Sequence, residues 1–227
     1  MREINSVLNI IKRSPSEALA KEGGSGRNIK SVAANDMSKI FLVRHGQDTD
    51  NAAKILNGRR DTELTELGRE QARKVAEKLC DNEIQVIFAS PLKRTYETAR
   101  IIATGLGIDE IITDERLIER EFGVFTGRPV ADIPKYTDKI ISTDKVNYFL
   151  EVEGSESFPM LLERGKEILQ EIKQRYPNEN VLVVTHGDIG MMIRAAYHNW
   201  SWEQGLRAPY FENTGVLELS EGQDILE

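Results

Sequence analysis

Ile40-Phe-Leu-Val-Arg44-His45-Gly46-Gln-Asp-Thr-Asp-Asn51 is the stretch from which the rest of the chain can be read. Four apolar residues break off at Arg44-His45-Gly46 and give way to a polar, turn-prone run. The pattern predicts a buried strand whose carboxyl end presents a histidine beside a guanidinium, with Gly46 allowing close backbone approach. Val181-Leu-Val-Val-Thr185-His186-Gly187-Asp188 repeats the design 141 residues later. In an open parallel sheet, ligands bind in the crevice beyond the strands' carboxyl ends, so two such histidines are expected to converge there.

Outward from these strands, apolar and amphipathic runs alternate. Val86–Ala89 reads as a second strand. A helix is expected after Thr65, a plausible N-cap, with Leu67, Ala72, Val75, Ala76 and Leu79 on its apolar face. Another runs from about Leu92 to Thr104, and Ile108–Thr113 is a short strand. Residues 114–154 lack clean periodicity and are expected to form an active-site loop with short helical pieces. A long helix over Ser157–Tyr176 ends at Pro177, a helix follows Asp188 as far as about His198, and Asn213–Leu219 reads as an edge strand. Thr49–Arg60 reads as a polar loop. This alternation predicts an α/β domain over 37–227, with a mostly parallel, doubly wound sheet and helices on both faces. Residues 1–36 read as an extension, with a short amphipathic pattern (Ile4, Val7, Leu8, Ile11) and a flexible Gly23-Gly-Ser-Gly26 run; they carry six basic residues against four acidic ones.

Across 227 residues, 40% are apolar and 30% charged, the composition of a soluble globular protein. A net charge of −7 argues against general nucleic-acid binding, which needs basic surface. No apolar run approaches the ~20 residues that span a bilayer, and the amino terminus lacks the pattern of a signal peptide. The single cysteine, Cys80, allows no internal disulfide and reads as a small apolar filler of a helix face; a cytoplasmic protein is the simplest expectation.

Chemistry is concentrated in few residues. The third histidine, His198, lies in Tyr197-His-Asn-Trp200 at a helix end and reads as structural. His45 and His186 have no His or Cys at the close spacing that zinc sites favour, so no metal site is expected. Arginines surround the two histidines instead: Arg44 abuts His45, Arg94 falls in the first turn of a helix, and Arg59 follows Asn57-Gly58 in a loop. Guanidinium forks and the free amides of a helix start both suit phosphate oxygens. The pattern points to an anion site.

Five motifs in order then show that residues 38–219 closely resemble the histidine phosphatase superfamily, which includes cofactor-dependent phosphoglycerate mutases and many phosphatases. They are Leu42-Val-Arg-His-Gly46 with Asn51, Thr62-Glu-Leu-Thr-Glu-Leu-Gly68, Ser90-Pro-Leu-Lys-Arg94, Leu117-Ile-Glu-Arg-Glu-Phe-Gly123 and Val183-Val-Thr-His-Gly187. The resemblance implies a phosphoglycerate mutase-like fold and a phosphohistidine formed on His45. It implies that Arg44, Arg94 and His186 bind the phosphoryl oxygens, and that Glu119 protonates the leaving oxygen and then assists water. Glu121 is a rival for that last role. Asn51, Asn57, Gly58, Arg59 and Gly187 are the expected phosphate- or substrate-binding residues. The substrate implied is a small phosphorylated molecule, with neither metal nor cofactor, because arginines and histidines supply the positive charge.

Two departures bear on activity. Many members carry Glu where this chain has Gln47, a change expected to tune rather than abolish activity. The mutases carry a longer, Arg-rich insertion between the acid and second-histidine motifs, whereas 124–185 is short and Gly154-Ser-Glu-Ser157 resembles the run before the long helix in phosphatases. A phosphomonoester hydrolase is therefore the leading expectation. A 2,3-bisphosphoglycerate-dependent mutase and a non-catalytic phospho-ligand-binding or scaffold protein remain alternatives. Phe122, Phe125, Tyr136, Tyr148 and Phe149 are expected as substrate contacts or as packing for the loop.

Overall fold

The computed structural model describes residues 38–221 and 224–226, so the extension expected over 1–36 lies outside the described residues. In chain order the elements are β1 (Ile40–Arg44), α1 (Thr49–Ala53), α2 (Glu66–Leu79), β2 (Ile84–Ala89), α3 (Lys93–Leu106) and β3 (Ile111–Thr113). There follow α4 (Ile133–Tyr136), β4 (Ile140–Ser142), β5 (Asn147–Phe149), α5 (Phe158–Arg175) and β6 (Asn180–Thr185). The last are α6 (Gly187–Tyr197), α7 (Trp202–Arg207), β7 (Val216–Leu219) and β8 (Ile225–Leu226).

Six strands form one sheet in the order β3-β2-β6-β1-β7-β8, in which the first four run parallel, β7 is antiparallel to β1, and β8 is antiparallel to β7. Period-two alternation explains how a sheet this apolar is covered on both sides. Ile40 and Leu42 of β1, with Val181 and Val183 of β6, enter the core under α5, α6 and α7. Phe41 and Val43, with Leu182 and Val184, enter the opposite core under α2 and α3. The doubly wound α/β architecture is thus as expected.

Local chemistry sets the helix starts. Thr65 accepts from the Gly68 amide to cap α2, and Ser157 does the same for α5 with the Met160 amide. α6 is buried along nearly its whole length, from Gly187 to Ala196, so both of its ends are fixed by packing.

Several expectations need correction. Leu67 is 53% exposed, because its position on α2 faces outward, and Cys80 is an exposed residue at the C-cap of α2 rather than a filler. Thr49–Arg60 is not all loop: Asp48 caps the short α1 by accepting from the Asn51 amide. β7 is not an edge strand, since β8 pairs along its outer side. Within 114–154 the short helical pieces are present, but the β4–β5 hairpin was not legible, its strands being three residues each. Among the described residues, no helix is long and apolar enough to cross a membrane.

Candidate active site

β1 and β6 pair in parallel with Arg44 opposite Thr185, so the residues that follow, His45 and His186, emerge side by side. Their ring centroids are 5.1 Å apart, and the His45 amide donates to the Thr185 carbonyl at 3.0 Å. Both rings are buried. Parallel pairing and equal register, not proximity in sequence, bring them together.

His45 Nδ1 lies 2.8 Å from the Gly46 carbonyl, which can only accept. That contact selects the Nδ1–H tautomer and leaves the lone pair on Nε2. Arg94 Nε donates to that nitrogen at 3.2 Å. Burial, then the positive charges of Arg94 and Arg44, hold the His45 pKa well below its ordinary 6.5, so the ring stays neutral and nucleophilic. His186 is held down in the same way, by burial first and then by Arg94. Its Nε2 meets the hydroxyls of Ser90 and Thr95 at 2.9 and 3.1 Å, while its Nδ1 is buried with no partner.

Arg94 is fully buried, and its fork is fixed by the carbonyls of Arg60 and Gly58 at 2.6 and 2.8 Å. Asp48 balances its charge at 3.3 Å while accepting from Asn57 and Thr62. Arg44 Nε, by contrast, is buried with no partner. An unpaired buried guanidinium donor is rare in native proteins, and beside His45 it marks a place built for acceptor oxygens.

Glu119 enters the same site from the loop after β3. Its Oε1 accepts from the amides of Arg120 and Ile189 at 2.8 and 3.2 Å, and its Oε2 from the Asp188 amide at 3.2 Å. Burial, then the nearby Asp188 carboxylate, raise its pKa above 4.5 against the pull of those amides. The other acid in the motif is placed elsewhere: Glu121 accepts from the Gly123 amide and from Thr126, and faces Arg59. Of the two candidates, only Glu119 lines the cavity.

A cavity of about 380 Å³ opens to solvent beside Arg44, the chain neighbour of His45; Asn51, Glu119 and Asp188 also border it and, farther out, the β4–β5 hairpin. Asn51 Oδ1 accepts from Asn213 Nδ2, which also donates to the His45 carbonyl. Not every expected residue joins the anion site. The Arg59 guanidinium is spent on the Glu119 carbonyl and the Glu156 and Glu121 carboxylates, so it is a loop brace. Asn57 and Gly58 act indirectly, one holding Asp48 and the other holding Arg94. Gly187 starts α6, where a Cβ would meet the Tyr210 hydroxyl at 2.5 Å. Of the five aromatics, Phe122, Tyr148 and Phe149 line the cavity, whereas Phe125 is buried in a core behind it and Tyr136 is 56% exposed against Arg128. Gln47 accepts from the Thr65 hydroxyl at 2.9 Å and does not line the cavity.

Asp48, Ser90, Thr95, Asp188 and Tyr210 escaped the sequence reading. Ser90 follows a buried strand by one residue and Asp188 by three, and that position was the available signal. Tyr210 reaches the site from a segment with no periodicity. Among the described residues, no group of three or more His, Cys, Asp or Glu side chains is arranged to hold a metal ion.

Residues 40–224 match the family model of the histidine phosphatase superfamily (branch 1), and the chain belongs to that family. It is 36% identical over 166 residues to phosphoglycerate mutase-like protein 4 of Arabidopsis thaliana, covering 71% of this chain and 70% of the relative. It is 35% identical over 151 residues to phosphoserine phosphatase 1 of Hydrogenobacter thermophilus, covering 66% and 71%. Among solved structures, a mycobacterial glucosyl-3-phosphoglycerate phosphatase complexed with VO3 superposes with a TM-score of 0.70 at 25% identity, over 84% of this chain and 97% of the other.

Proposed function

We propose that this chain is a metal-independent phosphomonoester hydrolase that works through a phosphohistidine on His45, acting on a small phosphorylated metabolite. The observation that carries the reading is the state of His45: buried, neutral, with its Nε2 lone pair aimed into a nest of cationic donors, one of them unpartnered. A neutral imidazole is the form that attacks phosphorus.

In the first half-reaction, His45 Nε2 forms a bond to phosphorus as the bond to the ester oxygen breaks. The leaving alkoxide takes a proton from the Glu119 carboxyl, whose raised pKa keeps it a usable acid. Arg44, Arg94 and His186 stabilise the charge on the three transferring oxygens. In the second, water attacks the phosphorus, the P–N bond breaks, Glu119 takes the water's proton, and inorganic phosphate departs with His45 neutral again. The resemblance to the Hydrogenobacter and mycobacterial proteins, both named as phosphatases, favours hydrolysis over transfer.

The test is hydrolysis of an aryl phosphate in the presence of chelator, with acid-labile labelling from a radioactive substrate. Activity and label are expected in the wild type and absent from His45→Ala. Hydrolysis that survives His45→Ala would sink the reading.

A further inference from the structure

The charged walls of the cavity are balanced in pairs. Arg120 Nε holds Asp188 at 2.7 Å, and Lys145 Nζ holds Glu212 at 3.0 Å. Among the described lining residues, Arg44 is the cation without a carboxylate partner, and it stands next to His45, where the phosphoryl group would consume it. Apart from Glu119, which is held by the amides of Arg120, Asp188 and Ile189, the rest of the lining bears no ionisable carboxylate or cation: an apolar wall with Leu56, Phe122, Ile133 and Phe149, the amide of Asn147, and the Tyr148 hydroxyl, which is buried with no partner. Burial, and then the charge of Asp188, push the Tyr148 pKa up, so it remains a neutral hydrogen-bonding group.

A substrate with a second anionic group would therefore have to place it near Asp188 and Glu212 with no unpaired cation to receive it. Lys145 could be drawn toward such a group, because its pair is exposed, with 58% and 68% of the two side chains accessible. Glu212 would then stay at the rim uncompensated, and like charges brought together disfavour binding.

We propose that Glu212 is a specificity-determining residue. With Lys145 tied to it at the rim, the site takes phosphate monoesters of neutral, hydroxyl-bearing alcohols and discriminates against esters that carry a carboxylate or a second phosphate. This inference rests on the phosphomonoesterase reading above. It also separates this chain from the relative named for phosphoserine, an ester with a carboxylate.

The experiment compares kcat/KM for two esters of nearly equal size, sn-glycerol 3-phosphate and 3-phosphoglycerate, which differ in a hydroxymethyl against a carboxylate. The ratio is taken within one preparation, so losses of folded enzyme cancel. In the wild type the ester of the neutral alcohol, sn-glycerol 3-phosphate, is expected to win by about tenfold. In Glu212→Gln, which releases Lys145 and removes the repelling charge, the preference is expected to fall at least to about one third of that. A wild-type preference under about threefold, or a preference unmoved by Glu212→Gln, overturns the inference. If His45-dependent aryl phosphate hydrolysis is present while either result occurs, this inference alone falls. If no ester is hydrolysed, the phosphatase reading falls and takes it along.

Discussion

Arg94 Nε donates to His45 Nε2 at 3.2 Å while the two terminal nitrogens of the same guanidinium are held by backbone carbonyls. The His45 ring is therefore aimed by a group that cannot itself turn. When a phosphoryl group arrives, the Nε–H that marked the lone pair is already in place to meet an oxygen. Arg94→Ala is expected to lower kcat/KM by about 10²- to 10³-fold. Arg94→Lys should recover little, since an ammonium cannot reproduce the fork. Steady-state kinetics with a folding check by circular dichroism decides it; near-normal kcat/KM in Arg94→Lys would contradict it.

Glu119 matters most where the leaving group is poor. Glu119→Gln is expected to slow hydrolysis of an alkyl phosphate by about 10²- to 10⁴-fold, and that of p-nitrophenyl phosphate far less in its first step. Because burial and Asp188 raise the Glu119 pKa above 4.5, kcat/KM should fall on the alkaline side as the carboxyl ionises, and Glu119→Gln should flatten that limb. Because the His45 pKa lies well below 6.5, no acid limb should appear near 6.5. An acid limb centred there would show a solvated histidine.

The same histidines link stability to pH. His45 and His186 bind a proton near 6.5 when unfolded but resist it when folded. The unfolded state therefore holds more protons below about pH 6.5, and stability must decline as pH falls through that value. Melting temperature measured from pH 8 to 5 should show the decline, and His45→Asn should lessen it. A melting temperature that rises on acidification would refute the assignment.

Arg120 is a second buried cation with a different duty. Its guanidinium sits over the rings of Phe149 and Phe158 at 4.1 and 4.3 Å, holds Asp188 at 2.7 Å, and donates to the Phe149 carbonyl at 3.2 Å. Removing one partner of a buried pair leaves the other charge stranded, so Arg120→Ala should cost about 3–5 kcal/mol in urea denaturation. A cost under about 1 kcal/mol would mean that the pair is solvated.

Gly46 and Gly68 bring the end of β1 against the start of α2. A Cβ on Gly46 would strike the Gly68 carbonyl, and one on Gly68 would strike the Gln47 carbonyl. Gly68→Ala is expected to destabilise by about 1–3 kcal/mol and to disturb His45 through its neighbour Gly46. Denaturation together with kcat/KM checks both effects.

What could be read from sequence was whatever repeats at short range. Strands β1 and β6 announce themselves by continuous apolar runs, and Thr65 and Ser157 by capping chemistry. His45 and Arg94 stood out at strand and helix ends, and Glu119 only through its resemblance to a family motif. Illegible were the partners that arrive from irregular backbone. Asp48 balances Arg94 from 46 residues away, Tyr210 comes from an aperiodic stretch, and the three-residue strands of the hairpin lie below the length at which alternation can be recognised. The roles of Asn57, Gly58 and Arg59 could not be told apart in sequence, because an exposed donor and one committed to a neighbouring carboxylate look alike there.

The bond from Arg120 to the Phe149 carbonyl joins two parts that could otherwise vary independently. Arg120 adjoins Glu119 in the chain, and Phe149 ends the hairpin that shapes the outer cavity. A graft that replaces the hairpin to admit a new substrate therefore also pulls on the strap behind the acid. Redesign of this enzyme for other esters should keep residue 149's carbonyl where it is, or accept that each change in what is bound will alter how fast it is cleaved.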